Sequence, residues 1–217
     1  MISALKTLYH QYAARRVFGR WAASYEEDVA TNRYSAAKAV QDSLQTYLPM
    51  AGRITDLGVG TGLIWQDVDI PDETEITGLD ISQAMMEQAS SIPELGPFYL
   101  CDVGRHEWPV YDGTEDLIVA AGLFEYLTPD MAAHVFQEAR RTLKQGGRFI
   151  FTYIPGAANE AKPWDGRSGR ILSCVHAPEW IVSQTGFTLE TQTEPFAGSV
   201  FADGQSYDYR LVILRKD

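Results

Sequence analysis

The run Ile54-Thr55-Asp56-Leu57-Gly58-Val59-Gly60-Thr61-Gly62 constrains this chain more than any other stretch. Its apolar start reads as a β-strand. The three alternating glycines read as a strand-to-helix turn that needs positive φ angles, which residues with a Cβ adopt only at a cost. The missing Cβ atoms also let a ligand lie against bare backbone, so a ligand carboxylate or phosphate is expected to meet exposed N–H donors there. The next apolar run, Glu75-Ile76-Thr77-Gly78-Leu79-Asp80, ends in an acid. At the carboxyl end of a second strand, a carboxylate can accept both hydroxyl hydrogens of a ribose. Glycine turn and acid, in this order, mark a nucleoside-cofactor site.

Spacing separates the families that use this device. Dinucleotide-binding enzymes carry G-x-G-x-x-G, with two residues between the second and third glycine; here Thr61 alone separates Gly60 from Gly62. Asp-x-Gly-x-Gly-Thr-Gly followed by Gly78-Leu79-Asp80-Ile81-Ser82 resembles the first two motifs of class I S-adenosylmethionine-dependent methyltransferases. The resemblance implies S-adenosylmethionine as cofactor and S-adenosylhomocysteine as its product. It further implies that Gly58 and Gly60 contact the methionine moiety, that Asp80 holds the ribose, and that Asp56 sets the loop through backbone hydrogen bonds. Val59, Gly62, Ile81 and Met85 fall among the cofactor-binding positions by the same resemblance.

Three later segments extend the match. Leu100-Cys101-Asp102-Val103 resembles the adenine-binding motif, which makes Asp102 the partner of the exocyclic amino group with Val103 beside it; the alternative is a solvated strand-end aspartate. Ala120-Ala121-Gly122-Leu123-Phe124-Glu125-Tyr126-Leu127 resembles the segment running under the methionine portion, with Gly122 allowing close approach and Phe124 to Tyr126 facing the acceptor. Phe18 to Asp28 resembles the aromatic-rich helix that closes over the cofactor in small-molecule methyltransferases and brings in Tyr25. With Tyr34 and the segment Tyr207 to Lys216 it is similar to the Williams–Beuren-region methyltransferase-like branch. Tyr25 and Tyr34 capping the apolar core is the competing reading.

With 217 residues and 45% of them apolar, the chain can bury one substantial core. We read residues 1–217 as a single domain, a helical cap over 1–50 and a Rossmann-like core over 51–217. Helical patterns fill the first part, with Ala36, Ala37, Val40, Leu44 and Leu48 sharing a face. Short apolar runs then alternate with helical ones: Arg53 to Leu57, Glu75 to Leu79, Pro97 to Cys101, Asp116 to Ala121 and Arg148 to Tyr153. This rhythm predicts an α/β fold with a parallel sheet and helices on both faces. Gly146-Gly147 is expected to end a helix from Asp130 to Lys144, and Ala157 to Ser173, with Trp164 inside, to form a long loop over the substrate. A helix from Pro178 to Gly186 and strands Thr188 to Thr193 and Tyr207 to Leu214 complete the chain. The resemblance implies that the last strand inserts antiparallel, giving a seven-stranded, mostly parallel sheet.

The net charge of −11 argues against nucleic acid as partner, because phosphate backbones demand clustered Lys and Arg. It favours a small or cationic acceptor. Two cysteines, Cys101 and Cys174, lie in no ligand or redox pattern and are expected reduced. No stretch reaches the apolar length of a membrane span, so the expectation is a cytoplasmic protein, monomer or homodimer, without membrane partners. Lys6, Arg15, Arg16 and Arg20 precede the first acid, Glu26; they read as an amphipathic helix, although an organelle transit segment shows the same pattern.

Methyl transfer is an in-line displacement dominated by proximity, alignment and exclusion of water. A hydroxyl or protonated amine acceptor needs a base, and Glu125, Tyr126, Tyr153 and His176 are the candidates. His176 precedes a predicted helix, where a capping or core role competes. No Asn-Pro-Pro-Tyr segment follows the fourth strand, which counts against amino methylation in DNA. Nor is there the acid and asparagine set of the metal-dependent catechol type, so no metal is expected. Two other readings stay open: a binding module for S-adenosylmethionine or S-adenosylhomocysteine without turnover, and a nicotinamide-dependent oxidoreductase.

Overall fold

The computed structural model describes residues 2–163, 172–200 and 206–217. Helices α1 (Ile2–Trp21), α2 (Tyr25–Thr31) and α3 (Ala36–Tyr47) precede β1 (Arg53–Leu57). There follow β2 (Glu75–Asp80), α4 (Gln83–Ala89), β3 (Leu95–Leu100), β4 (Glu115–Ala120), α5 (Pro129–Thr142) and β5 (Leu143–Tyr153). The remainder comprises β6 (Glu160–Pro163), β7 (Leu172–Val175), α6 (Pro178–Val182), β8 (Phe187–Gln192), β9 (Phe196–Val200) and β10 (Ser206–Lys216). The main sheet runs in the order β3-β2-β1-β4-β5-β10-β8. The pairings among β1 to β5 are parallel, and β10 inserts antiparallel to both neighbours. This is the expected seven-stranded arrangement. β9 adds an eighth strand by pairing with the first part of β10, whose second part enters the sheet.

Alternation along the strands builds two cores. Ile118, Phe149, Phe151, Val212 and Leu214 face one side, against Val135, Phe136 and Ala139 of α5. Their sequence neighbours Leu117, Val119, Ile150, Leu211 and Ile213 face the other, against Val40 and Leu44 of α3. A strand's period of two makes both faces apolar and requires helices on each. Helix α3, within the span 1–50 read as a cap, therefore packs on the sheet. Helix α5 starts with Thr128, whose Oγ1 accepts from Met131 N–H at 3.5 Å, with Pro129 next and Arg140 and Arg141 in its last turn. Cap, proline and basic end each agree with the helix's orphan amides and dipole.

Several boundaries differ from expectation. Helix α5 ends at Thr142, two residues early, because Leu143 already pairs with Glu115 of β4. Gly146, at φ +76°, sits where the β4–β5 register shifts. The segment read as a loop over 157–173 contains the antiparallel ribbon β6–β7, while 164–171, with Trp164, lies outside the described residues. Helix α6 stops at Val182, short of Gly186. The glycine turn leads into a single 3₁₀ turn, Leu63–Trp65, where a helix was expected. No helix joins β3 to β4 either. There the crossover is pinned by Arg141, whose guanidinium donates to the carbonyls of Trp108 (3.1 Å) and Val110 (2.9 Å) and to Glu138 (2.6 Å). Among the described residues no helix is long and apolar enough to cross a membrane.

Candidate active site

The strand order reverses between β1 and β4, and the carboxyl ends of β1 to β4 open on one cavity, the usual ligand position on such sheets. Gly58, Gly60 and Gly62 have φ of +69°, +56° and +81°, the left-handed values the turn was expected to need. Their amides are not exposed donors, which corrects the expectation that a ligand anion meets them. Gly58 and Val59 N–H both donate to Leu79 O (2.7 and 3.1 Å), Gly62 N–H to Val59 O (2.9 Å) and Gly60 N–H to Asp80 Oδ2 (2.9 Å). Gly58 and Gly60 both line the cavity: a Cβ on Gly60 would meet nothing nearer than Gly58 O at 3.7 Å, whereas one on Gly58 would stand 3.2 Å from Leu123 Cδ1. Gly62 faces the protein, 2.8 Å from Ile92 Cδ1 at the position of a Cβ, and Val59 is buried among the α3-side core.

Asp56 does not reach the cavity. Its Oδ2 accepts the Trp65 indole N–H at 2.7 Å, so the loop is set through a side-chain bond and not, as expected, through backbone donors. Burial lifts its pKa from 3.8 to about 7, with the Trp65 bond opposing and Asp80 adding to the rise. Asp80 lines the cavity and braces the loop. Besides Gly60 N–H it accepts Ser82 N–H on Oδ1 at 2.7 Å, and the Ile81 backbone N–H also holds its carboxylate. Desolvation raises its pKa to about 6, against these backbone bonds. Ile81 and Met85 form an apolar shelf beside it, and Asp102 and Val103 continue the wall beyond β3. Asp102 Oδ1 accepts Gly104 N–H at 3.2 Å, and the Arg105 guanidinium stands 4.0 Å from Oδ2.

Opposite this wall, the turn after β4 and the N-terminal helices make an aromatic chamber. Gly122, at φ +66°, donates its N–H to Thr152 Oγ1 at 3.2 Å. Glu125 is 5% exposed, and its Oε1 accepts the Tyr209 hydroxyl at 2.8 Å. Burial raises its pKa from 4.5 to about 7, its own backbone N–H and the Tyr209 bond working the other way. Phe18 of α1 meets Tyr126 edge-on at 5.0 Å between centroids, and Trp21 meets Tyr25 at 4.9 Å. Trp21 is held by its Nε1–H bond to Asp28 Oδ2 at 2.7 Å. Tyr25, Tyr34 and Tyr126 all line the cavity, and burial pushes their hydroxyl pKa values up, so they stay neutral.

Two base candidates lie elsewhere. His176 is fully buried behind the β4 turn, its Nε2 3.1 Å from Phe124 O and its ring stacked on Trp180 at 5.6 Å. The packing holds it in the core, the competing reading. The Tyr153 hydroxyl accepts from Gln192 Nε2 at 3.0 Å and does not line the cavity. Sequence reasoning assigned no role to Tyr209, which lies 84 residues from its partner Glu125, or to Trp65. No local pattern signals either pairing.

Residues 54–147 match the methyltransferase domain family. Human methyltransferase-like protein 27 is 33% identical over 108 residues, covering 48% of this chain and 44% of that protein. Malonyl-[acyl-carrier protein] O-methyltransferase of Geobacter sulfurreducens is 31% identical over 143 residues, 63% of this chain and 51% of that protein. The matches thus span about half the length of these curated relatives. Among solved structures, 1,6-didemethyltoxoflavin-N1-methyltransferase of Burkholderia thailandensis, with bound 1,6-didemethyltoxoflavin and S-adenosylhomocysteine, superposes with a TM-score of 0.65 at 17% identity. That superposition covers 95% of this chain and 89% of that one.

Proposed function

We propose, for a chain that belongs to the class I S-adenosylmethionine-dependent methyltransferases, that it transfers a methyl group from S-adenosylmethionine to a small-molecule acceptor in the aromatic chamber. One observation carries this reading: the glycine turn, the strand-end carboxylates Asp80 and Asp102 and a chamber closed by α1 and α2 meet in one cavity. The residues present suit the cofactor. Asp80 would hold the ribose hydroxyls, Asp102 the adenine amino group, and Gly58 and Gly60 the methionine portion, with Ile81, Met85 and Val103 along the adenosine.

When bound, S-adenosylmethionine supplies a methyl group activated on a positively charged sulfur. The chain's own part is to bring an acceptor to the Gly122 end, align it and keep water out, which in-line displacement chiefly requires. Phe18, Trp21, Tyr25 and Tyr126 provide the apolar walls. Glu125 is the base within the chamber, its proton affinity moved by burial into the neutral range where such a group works best. The small-molecule reading draws support from the Burkholderia neighbour, which holds 1,6-didemethyltoxoflavin and S-adenosylhomocysteine.

Calorimetric titration with S-adenosylmethionine, S-adenosylhomocysteine and NAD in parallel tests the reading without knowledge of the acceptor. Binding of the two adenosyl compounds in the micromolar range, with NAD silent, is the expected result. Binding of NAD alone would overturn it.

A further inference from the structure

We propose that the acceptor is a small primary or secondary amine, bound as its ammonium ion between Glu125 and the Tyr34 hydroxyl. The inference rests on the methyl-transfer reading and adds to it the chemical class of the second substrate.

Two unsatisfied oxygens carry it. Glu125 Oε2 and Tyr34 Oη are both buried without a hydrogen-bond partner, on residues that line the cavity. Buried polar atoms are rarely left so, and a buried carboxylate oxygen least of all, because nothing replaces the water it has lost. Both side chains reach Gly122: a Cβ there would collide with the Tyr34 hydroxyl and come within 3.3 Å of the other Glu125 oxygen, Oε1. Glycine thus leaves room for the Tyr34 hydroxyl beside the Glu125 carboxylate. Tyr209 spends its hydroxyl on the other carboxylate oxygen and meets the Tyr34 ring edge-on at 6.1 Å, so it orients Glu125 and Tyr34 without occupying Oε2.

The charge of the surroundings selects the ligand's sign. Asp80, Asp102 and Glu125 line the cavity, and among the described lining residues there is no Lys, Arg or His. Arg105, against Asp102, belongs to the β3 end, three strand spacings or about 14 Å along the sheet from the β4 end. A carboxylate or phosphate acceptor would meet repulsion at Glu125 and no cationic side chain among the described lining residues. An ammonium ion meets a carboxylate and a hydroxyl oxygen in a cavity that Phe18, Trp21, Tyr25 and Tyr126 also line, and aromatic rings tolerate cations where they repel anions. A primary or secondary ammonium also carries at least two N–H donors, one for each orphaned oxygen.

The reaction then balances. The ammonium gives one proton to Glu125 Oε2. The freed nitrogen lone pair bonds to the methyl carbon as the sulfur–carbon bond breaks, its electron pair returning to sulfur. The products are an N-methylammonium ion, a neutral thioether and protonated Glu125.

The test measures binding, not turnover. The protein saturated with S-adenosylhomocysteine is titrated at pH 8 with benzylamine and isoamylamine, and with the alcohol and carboxylate of matching carbon skeleton. Each amine is expected to bind at least tenfold tighter than its alcohol, with the carboxylate weakest. Glu125→Gln should reduce the amine-over-alcohol ratio to below threefold. Tyr34→Phe, which removes a hydroxyl that bonds to nothing, should weaken amines three- to tenfold with S-adenosylhomocysteine affinity unchanged. Equal binding of amines and alcohols, or a ratio unaffected by Glu125→Gln in a variant that still binds S-adenosylhomocysteine, overturns the amine assignment alone. Failure of the wild-type chain to bind S-adenosylhomocysteine overturns the methyl-transfer reading and this inference with it.

Discussion

Replacing Glu125 by Gln should change how stability responds to pH, in a direction opposite to that of most carboxylates. Desolvation raises the Glu125 pKa from 4.5 to about 7 in the folded chain. Between these values the native state keeps a proton that the unfolded chain has released, so unfolding loses protons and stability falls as pH rises. The contribution is fully present below 4.5 and is lost as pH passes through about 7. Integrating the linkage from pH 5 to pH 8 gives a loss of roughly 2–3 kcal/mol from this group alone. Asp56 and Asp80, raised to about 7 and about 6 for the same reason, add losses in both proteins and cancel in the difference between them. Urea unfolding followed by tryptophan fluorescence at the two pH values, for wild type and Glu125→Gln, yields that difference. The variant should lose roughly 2–3 kcal/mol less than wild type between pH 5 and pH 8. A double difference under about 0.5 kcal/mol, within the scatter of such extrapolations, would mean that Glu125 is hydrated in solution and that its place in a closed chamber is wrong.

Asp80→Ala removes acceptors for Gly60 and Ser82 N–H together with the proposed ribose contact. At roughly 1.5–3 kcal/mol per charged hydrogen bond, S-adenosylhomocysteine affinity should drop at least tenfold by calorimetry; unchanged affinity would refute the ribose assignment. Gly122→Ala forces a left-handed residue that costs roughly 1–2 kcal/mol and drives the Tyr34 hydroxyl aside. Its thermal midpoint should fall and its amine binding be lost, and a variant that binds amines like wild type would contradict the convergence at Gly122. Trp65→Phe leaves the buried Asp56 carboxylate without its indole donor, which should destabilise the fold by about 1–3 kcal/mol. The same substitution should raise the Asp56 pKa further, read as a shift to higher pH of the stability loss.

Much of this was legible in the sequence because it is local. Strand faces follow from alternation, as at Phe149, Ile150 and Phe151, and the positive φ of Gly58, Gly60 and Gly62 follows from their spacing after an apolar run. The acids Asp80 and Asp102 sit at strand ends, where the sheet delivers them to one edge whatever lies between. Helix boundaries were less legible, since Leu143 leaves α5 to pair with Glu115 in a strand distant in sequence. His176 could not be sorted between site and core until its neighbours Phe124 and Trp180 were placed.

By itself, then, the sequence determined the sheet, the turn and the kind of cofactor pocket, each set by backbone conformational freedom and by a two- or four-residue period. Tertiary structure decided which groups remain free to act. It turned the loop amides inward to Leu79 and Asp80, tied Asp56 to Trp65 and His176 to Phe124, and brought Tyr209 and Tyr34 beside Glu125. Whether a polar atom is satisfied depends on every group within about 3 Å, and those groups arrive from strands and helices whose separation along the chain carries no signal of their meeting.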